Sequence, residues 1–341
     1  MTRDREGILR GEIQAQPDAL DRFRTREAER VRALGRRLAA HVETGVYIAA
    51  RGSSDHAAVY AKYLFGERLR LPVALAAPSL VTRYGRLPRL EGWLVLGISQ
   101  SGVSPDIVSV LEAARRGDCI TVAITDRPDS PLGRVADEVI ELHIGGERSV
   151  AATGTFTTTL YALAHLACAW AGEEAPLGDV PERVRRTLDA EPAVAARARD
   201  LASVRACVVL GRGFSFPVAL EWALKLKEVA GLWAEPYSAA DYRHGPIALA
   251  SRELAAFLID PEGPARADLE NLAGELSQRG VRVVRAADTP SAELPFAHGP
   301  EWLSPIPATV AGQLLAFHLA RVRGRDPDRP LGGLAKVTET L

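Results

Sequence analysis

Short apolar segments alternate along the chain with longer stretches of mixed polarity. Three of these segments, "GVYIAA" from Gly45, "WLVLGI" from Trp93 and "ITVAITD" from Ile120, are almost continuous rather than alternating. Such segments are typical of parallel strands buried on both faces, with the intervening helices as crossovers. The pattern predicts an α/β fold built on a parallel sheet. A linker, "GEEAPLGDVP" (172–181), is followed by a predicted helix of about 20 residues.

The second half of the chain repeats the first. The segment "VYIAARGSSDHAAVYAKYL" aligns with "CVVLGRGFSFPVALEWALKL", which places Gly213 on Gly52 at an offset of 161 residues (213 − 52), and the same offset carries Gly263 onto Gly102. Two separate landmarks at one offset indicate an internal duplication. The copies differ after one strand, because Ser-Gln-Ser-Gly in the first is Asp-Pro-Glu-Gly in the second. An anion is therefore expected to bind in the first copy only.

Composition narrows the class of protein. The 341 residues suit two domains, and a net charge of −1 gives no indication of a nucleic-acid surface. Cys119, Cys168 and Cys207 lack metal-like spacing and are interpreted as buried thiols in a reducing compartment. The charged N-terminus "MTRDREGILRGEI" lacks the apolar core of a signal peptide, and no stretch of about 18 apolar residues is present. We expect a cytoplasmic protein with no membrane span, no metal and no cofactor.

Polar residues follow the strand "WLVLGI" directly, in "SQSGVSPD". Ligands bind beyond the carboxyl ends of strands in an open parallel sheet, and the first N–H groups of the next helix attract anions. We predict a phosphate cradle made of six residues, namely Ser53, Ser54, Ser99, Gln100, Ser101 and Ser104. No lysine accompanies them, so the phosphate is expected to be held but not transferred. The alternative is that the serines only cap helices, which explains Ser104 equally well.

One predicted helix carries charged residues on a single face. Glu221, Lys225 and Glu228 lie at positions i, i+4 and i+7 of that helix. An exposed ladder of salt bridges is the ordinary explanation, but this helix lies within an apolar-rich unit. Further along, His244 lies beside a Gly-Pro turn, and an ordinary imidazole pKa near 6.5 suits both donating and accepting a proton.

The segments "RGSSDHAA", "ISQSGVSPD", "ALEWALKLKEVAGLWAEPYSAADYRHGPIAL" and "LAKVTETL" resemble the sugar isomerase (SIS) family. In particular they resemble the isomerase half of glucosamine-6-phosphate synthase and its glutaminase-free relatives, of the glucosamine-6-phosphate deaminase/isomerase type. The resemblance implies two tandem Rossmann-like α/β/α lobes with parallel sheets. It also implies a homodimer with a shared active site and a hexose or hexosamine 6-phosphate as substrate. Four regions are expected: an N-terminal helical segment (1–30), a phosphate-binding lobe (31–175), a lobe with the catalytic helix (176–325) and a tail over the active site (326–341).

The same resemblance implies roles for individual residues. Glu228 matches the base that moves a proton between C1 and C2 of the open-chain sugar, and Lys225 matches a lysine that supports that sugar. His244 matches a histidine that opens the sugar ring from the partner subunit. Lys336, which follows Ala335 in the tail, matches a lysine that forms a Schiff base with the open sugar.

Two further positions are implied near the sugar, together with a departure from the family. The backbone of Val150 is expected to face the sugar, and Glu147 matches another carboxylate of the site. The synthases read V-A-S-T-K-x-F-T where this chain reads "VAATGTFTTT", so Ala152 and Gly154 replace a serine and a lysine. Thr2 stands where the synthases have a nucleophilic cysteine, so we expect no glutaminase activity.

Three functional interpretations remain open at this point. The first is an isomerising deaminase that converts glucosamine 6-phosphate to fructose 6-phosphate and ammonia. The second is a lyase, or dehydratase, that removes the C2 proton of N-acetylglucosamine 6-phosphate and then eliminates water from C3. The third is a non-catalytic module that senses phosphosugars, and the retained Glu228, His244 and Lys336 argue against it.

Overall fold

A computed structural model describes residues 7–117, 119–329 and 331–336, and the chain forms two compact units. Among the described residues, lobe 1 holds 18–147 and 154–178 together with Ala335 and Lys336. Lobe 2 holds the described residues of 7–17, 148–153 and 179–334. The boundaries expected at residues 30 and 175 stay predictions about domain organisation. They differ from this division because the chain passes between the units more than once.

Lobe 1 is built on a parallel five-stranded sheet in the order β2-β1-β3-β4-β5. Its strands are β1 (Gly45–Ala49), β2 (Val73–Leu75), β3 (Trp93–Ile98), β4 (Ile120–Thr125) and β5 (Glu138–Glu141). The helices that belong to it wholly or mostly are α2 (Gln16–His41), α3 (Ser53–Leu69), α4 (Ser79–Thr82), α5 (Pro105–Arg116), α6 (Pro131–Val135) and α7 (Gly154–Ala171). β1 is buried along its whole length, as a strand covered on both faces must be.

Lobe 2 has the order β10-β9-β8-β6-β7, again all parallel. Its strands are β6 (Ala206–Gly211), β7 (Trp233–Ser238), β8 (Leu254–Asp260), β9 (Arg282–Ala287) and β10 (Leu294–Pro295). Its helices are α1 (Ile8–Gln14), α8 (Val180–Asp189), α9 (Glu191–Asp200), α10 (Phe216–Glu228), α11 (Ala239–Arg243), α12 (Arg266–Gln278) and α13 (Pro305–Val322). Short 3-10 turns span Leu177–Asp179, Gly213–Ser215, Pro246–Leu249, Glu301–Leu303 and Leu331–Gly333.

The strand connectivity of the two lobes is the same. β6 corresponds to β1, β7 to β2, β8 to β3, β9 to β4 and β10 to β5, since each sheet places these strands in equivalent order. Asp126 follows β4 directly and Asp288 follows β9 directly. The predicted α/β fold with two tandem, duplicated lobes is confirmed.

Each lobe has an apolar core on its sheet. In lobe 1, Val95 of β3 packs with Val110 and Leu111 of α5, and all three side chains are inaccessible to solvent. In lobe 2, Leu258 of β8 and Leu272 of α12 belong to the equivalent cluster. Helix α5, which follows β3, and helix α12, which follows β8, therefore cover equivalent faces of their sheets. This packing sets the position of the loop that leads into each helix.

One predicted element differs from the structure. The helix of about 20 residues expected after the linker is two helices, α8 and α9, separated at Ala190. The cause is Pro192, which lacks the N–H that a continuous helix would bond to the Leu188 carbonyl and whose ring would clash with that carbonyl. Across the described residues, no helix combines the length and the apolar character needed to span a membrane.

Candidate active site

The carboxyl ends of β1 and β3 lie side by side in lobe 1. These strands pair in parallel with Ala49 opposite Gly97, so the loops that follow them start next to each other. The first loop leads into α3, which begins at Ser53, and the second leads into α5, which begins at Pro105. Two helices of 17 and 12 residues therefore begin at one edge of the sheet, where their N–H groups and dipoles favour an anion.

The loop between β3 and α5 is held by its own serine side chains. The Ser99 hydroxyl accepts a hydrogen bond from the Gly102 amide at 3.2 Å and lies 3.4 Å from the Ser104 hydroxyl. The Ser101 hydroxyl accepts from the Val103 amide at 3.4 Å. Ser104 is the N-cap residue of α5, yet its side chain makes no capping hydrogen bond within the described chain. The capping explanation therefore does not account for Ser104.

Gly102 is required by the backbone conformation and the packing of this loop, which the sequence did not indicate. Its φ angle is +64°, and a Cβ atom there would lie 1.9 Å from the Ser130 hydroxyl. The Gly102 carbonyl also accepts from the Leu132 amide at 3.0 Å, and the carbonyl of Gln100 accepts from the Thr125 hydroxyl at 3.1 Å. The positive φ and the close packing against the next loop both require glycine at this position.

Arg51 is a charged residue of this edge that the sequence analysis left without a role. Its guanidinium donates to the Asp106 carboxylate at 2.8 Å, which ties the β1–α3 loop to the start of α5. The Asp106 side chain is buried, whereas that of Arg51 is half-exposed. Ser53 and Ser54 follow it in the first turn of α3 and are partly exposed. In the sequence, Arg51 was indicated only by its position directly after an apolar strand.

A second group of residues in lobe 1 surrounds Glu147. This carboxylate is buried, and it accepts from the Thr155 hydroxyl at 3.0 Å and from the Thr155 amide at 3.3 Å, at the start of α7. The Lys336 ammonium lies 3.5 Å from the same carboxylate and also donates to the Glu147 backbone carbonyl. Ala335 precedes Lys336 in an exposed segment, and residues 337–341 of the tail motif lie outside the described residues.

The charged face of α10 in lobe 2 is not an exposed ladder. Lys225 is buried, and its ammonium lies 2.6 Å from a carboxylate oxygen of Glu228 and 3.4 Å from one of Glu221. The Glu221 side chain is inaccessible, whereas 19% of the Glu228 side chain is exposed. Of the two carboxylates, Glu228 is the one that can reach a ligand, and a buried cation fixes its position.

His244 lies at the exposed end of α11. Its amide donates to the Asp241 carbonyl at 3.0 Å, but its ring makes no hydrogen bond or ion pair with the part of the chain that the structure describes. Gly245 follows with a φ of +148°, which begins the turn expected from the Gly-Pro sequence. The ring is thus available on the surface of lobe 2.

Val150 belongs to the segment 148–153, which groups with lobe 2. Glu12 of α1 holds this segment, because its carboxylate accepts from the Ser149 amide at 3.2 Å. Gln313 of α13 donates to the Thr153 carbonyl at 3.3 Å. Neither partner was indicated by the sequence, since both are far from Val150 along the chain.

Two groups of described residues have the donor types that metals prefer. They are Glu27, Glu141 and His143 in lobe 1 and Glu262, Asp288 and His298 in lobe 2. Neither group contains a residue of the predicted site, and in both the histidine already lies within hydrogen-bonding distance of a carboxylate.

Two parallel sheets of identical connectivity, with helices as crossovers and a serine-rich loop at a strand end, define a tandem Rossmann-like α/β protein. The SIS domain model matches residues 41–169 and 200–294, and the chain belongs to this family. The family resemblance drawn from the sequence motifs is confirmed.

Individual relatives are similar over most of the chain. The glutamine–fructose-6-phosphate aminotransferase (isomerizing) of Gloeobacter violaceus is 37% identical over 314 residues, which cover 86% of this chain and 51% of the relative. The chain thus spans about half the length of the curated relatives that it matches. A phosphosugar-isomerase candidate from Silicibacter pomeroyi superposes with a TM-score of 0.87 at 33% identity, over 94% of this chain and all of the other. The glucosamine-6-phosphate deaminase of Thermotoga maritima superposes with a TM-score of 0.83 at 25% identity, over 97% and 99% of the two chains.

Proposed function

We propose that this chain is a phosphosugar isomerase that acts as an isomerising deaminase. It would convert glucosamine 6-phosphate and water to fructose 6-phosphate and ammonia. The observation that carries the proposal is the buried Lys225, which holds the partly exposed carboxylate of Glu228 at 2.6 Å on a helix face. A carboxylate fixed in this way is suited to moving a proton between two neighbouring carbons.

The phosphate would be held by the six cradle residues and the N-termini of α3 and α5. The loop hydroxyls and amides supply neutral donors, and the half-exposed guanidinium of Arg51, which Asp106 holds in place, supplies further N–H donors for a phosphate. Such a cradle fixes the non-reacting end of the sugar, and the binding energy gained there contributes to positioning the reacting carbons.

Proton transfer would follow opening of the sugar ring, which we assign to His244. In the open chain, C1 is an aldehyde and C2 carries the amine. Glu228 takes the C2 proton, a double bond forms between C1 and C2, and the carbonyl electron pair moves to O1, which takes a proton from solvent, so that an enolamine results. The same carboxylate then returns a proton to C1, which leaves a hydroxymethyl group at C1 and an iminium at C2. A single base on one side of the sugar is enough for both transfers.

Release of ammonia would use Lys336. Its amine, once neutral, attacks C2 of the iminium, and a proton passes from the lysine nitrogen through Glu147 to the nitrogen already on C2. The bond between C2 and that nitrogen then breaks as ammonia leaves, and a protonated lysine Schiff base remains. Water then hydrolyses the Schiff base to the C2 ketone and regenerates the lysine. Glu147, whose carboxylate lies 3.5 Å from the Lys336 ammonium, is suited to accept the proton that the lysine loses.

The comparisons support the sugar class more than the exact reaction. The Gloeobacter violaceus relative is named for an aminotransferase that isomerises fructose 6-phosphate, and the Thermotoga maritima structure is a glucosamine-6-phosphate deaminase. A deaminase needs neither glutamine nor an ammonia-producing domain. Ala152 and Gly154 replace a serine and a lysine of the synthases, so the lyase interpretation remains the second candidate.

The test is to incubate the purified chain with glucosamine 6-phosphate and, separately, with N-acetylglucosamine 6-phosphate. Mass spectrometry and an ammonia assay should detect fructose 6-phosphate and an equal amount of ammonia from the first sugar only. Glucosamine without phosphate is the matched control and should remain unchanged. Loss of water from the acetylated sugar would identify a lyase instead, and no reaction with binding of either sugar would indicate a sensor.

A further inference from the structure

Lobe 1 contains a large cleft formed by residues outside the candidate active site. It lies against one face of α2, the C-terminal half of α7 and the segment 172–178, and its volume is about 790 Å³. Pockets that bind small molecules in proteins have volumes of roughly 300–1,000 Å³, so the cleft is large enough for a metabolite. The side chains that decide its character are Arg24, Arg32, Arg36, His165 and Glu174.

Positive charge dominates the α2 side of the cleft. Arg24, Ala28, Arg32 and Arg36 follow one another at intervals of four residues and all line it. Arg24 is paired with Asp21 at 3.3 Å, whereas Arg32 and Arg36 have no ion pair among the residues that the structure describes. Two guanidinium groups one helical turn apart are therefore left to attract an anion.

The opposing wall of the cleft, formed by the segment 172–178, has fewer unpaired negative charges than the α2 side has unpaired positive charges. Glu173 is already bound by Arg68, which leaves Glu174 as the carboxylate of the segment with no ion pair among the described residues. The segment itself is fixed to α7, because the Tyr161 hydroxyl donates to the Leu177 carbonyl at 2.8 Å. The walls of the cleft are thus held in place by hydrogen bonding, and the charged side chains that line it are positive on balance.

His165 of α7 adds an unsatisfied polar group. Its side chain lines the cleft but is only 8% exposed, and its Nε2 atom is buried with no hydrogen-bond partner in the described chain. The ring packs edge-on against Tyr161 at 4.5 Å and near Phe23 at 5.7 Å, which fixes its orientation. Burial, together with Arg32 and Arg24, lowers the pKa of His165 to about 4, so the ring is neutral near pH 7. A buried polar atom without a partner costs free energy unless a ligand or water satisfies it.

We propose that this cleft is a binding site for a small organic diphosphate, with Arg32 and Arg36 on adjacent phosphate groups and the His165 side of the cleft against the uncharged part of the ligand. Adjacent positions on one helix face place their Cβ atoms roughly 5–6 Å apart, which suits neighbouring phosphates. Ala28 and Cys168 provide a less polar surface beside them. The inference does not rest on the proposed reaction.

The site is separated along α7 from the residues around Glu147. Thr155, which donates to Glu147, lies at the start of the helix, and His165 lies ten residues later, roughly 15 Å along its axis. A ligand at the cleft therefore contacts the same helix as Thr155 without contacting Thr155 itself. The site is distinct from the position proposed for the sugar.

The test uses inorganic pyrophosphate as the probe and isothermal titration calorimetry as the measurement. The protein is the full chain with Ser99→Ala and Ser101→Ala, so that the cradle contributes less to binding. In this background Arg32→Gln and Arg36→Gln should each weaken pyrophosphate binding by about 10- to 100-fold, as expected for loss of a charge-assisted hydrogen bond. Arg26→Gln removes the same charge from an exposed position of α2 outside the cleft and should change the affinity less than threefold.

A second variant tests the wall formed by α7. His165→Leu keeps the apolar contacts of the ring position and removes its polar atoms; because pyrophosphate lacks the uncharged part of the ligand, its affinity should change less than threefold while circular dichroism shows a folded chain, and a loss as large as that of Arg32→Gln would overturn the placement of the phosphates on Arg32 and Arg36. The proposal is overturned if pyrophosphate does not bind at millimolar concentration. It is equally overturned if Arg26→Gln weakens binding as much as Arg32→Gln, because attraction would then be a general effect of charge on α2.

Discussion

At the scale of single residues, buried charge determines the chemistry that the chain can perform. Lys225 and Glu221 are almost inaccessible to solvent on α10, whereas Glu228 is partly exposed. A buried ion is tolerated only with a partner, so Lys225 must remain near both carboxylates. The pair Glu221–Lys225 is therefore a fixed support, and Glu228 is the group to test as a base.

Glu228→Gln should abolish the proposed proton transfer while leaving the fold intact. The amide keeps the shape and a contact with Lys225 but cannot accept a proton, and loss of a general base commonly costs about 10²–10⁴-fold in rate. The measurement is exchange of the C2 proton of bound sugar in D₂O, followed by NMR. Glu253→Gln, at an exposed position of lobe 2, is the matched control. Exchange at an unchanged rate in Glu228→Gln would exclude this residue as the base.

His165 should make the stability of the protein depend on pH. Burial lowers its pKa to about 4, below the ordinary value of 6.5. As pH falls below about 6.5 the unfolded imidazole binds a proton and the folded one does not, so the free energy of unfolding decreases until about pH 4. The shift corresponds to about 3 kcal/mol at most. Denaturant unfolding at several pH values should show a flatter dependence for His165→Leu than for the exposed control His41→Leu. Equal slopes for the two variants would contradict the assignment.

At the scale of elements, the loop between β3 and α5 packs within lobe 1 and is also the predicted phosphate site. Its serine hydroxyls accept from the loop's own amides, and Gly102 packs against Ser130 and accepts from Leu132. The loop conformation is thus set by its neighbours before any ligand binds. A preformed loop loses little conformational entropy on binding, which favours affinity.

Replacing Ser99 and Ser101 together by alanine should weaken binding of glucosamine 6-phosphate. Each charge-assisted hydrogen bond to phosphate contributes about 1.5–3 kcal/mol, and the change also removes two bonds that hold the loop. Calorimetry should show a loss of at least tenfold. Ser109→Ala, which removes a hydroxyl bonded only to the Pro105 carbonyl of α5, is the control and should bind normally. Unchanged affinity in the double variant would mean that the phosphate binds elsewhere.

At the scale of the whole molecule, an exposed segment of lobe 2 is consistent with the proposed homodimer. His244 has no side-chain partner among the described residues, and Leu249, a few residues later, is 79% exposed. Both side chains are therefore accessible to a second chain. We therefore keep the proposal that His244 acts in the active site of the partner subunit.

Mixing two inactive variants tests that sharing directly. His244→Ala and Glu228→Gln chains, each inactive alone, should regain activity when their subunits exchange, because half of the sites in a mixed dimer would have both residues intact. At equal mixing about one half of the dimers are mixed, and about half of their sites are intact. The regained activity should therefore approach about a quarter of the wild-type value. Native mass spectrometry verifies that mixed dimers form. Mixed dimers without activity would show that His244 does not complete the neighbouring site.

The sequence by itself determined the class of fold, the duplication and the position of the serine-rich loop in which the cradle is predicted. Continuous apolar segments are typical of parallel strands covered on both faces, and a repeat at a fixed offset indicates two similar lobes. Hydroxyl residues directly after β3 must lie at the carboxyl end of the sheet. These conclusions depend on local pattern and on short-range geometry, so they needed no knowledge of distant contacts.

Only the tertiary structure decided which charges are buried and which distant residues meet. Periodicity placed Glu221, Lys225 and Glu228 on one face, but their burial depends on what packs against α10. The contacts of Arg51 with Asp106, of Glu147 with Lys336 and of Glu12 with the segment 148–153 join positions far apart in the chain. The cleft beside His165 likewise exists only because α2 packs near α7. Such contacts follow from packing, which a linear pattern of polar and apolar residues does not specify.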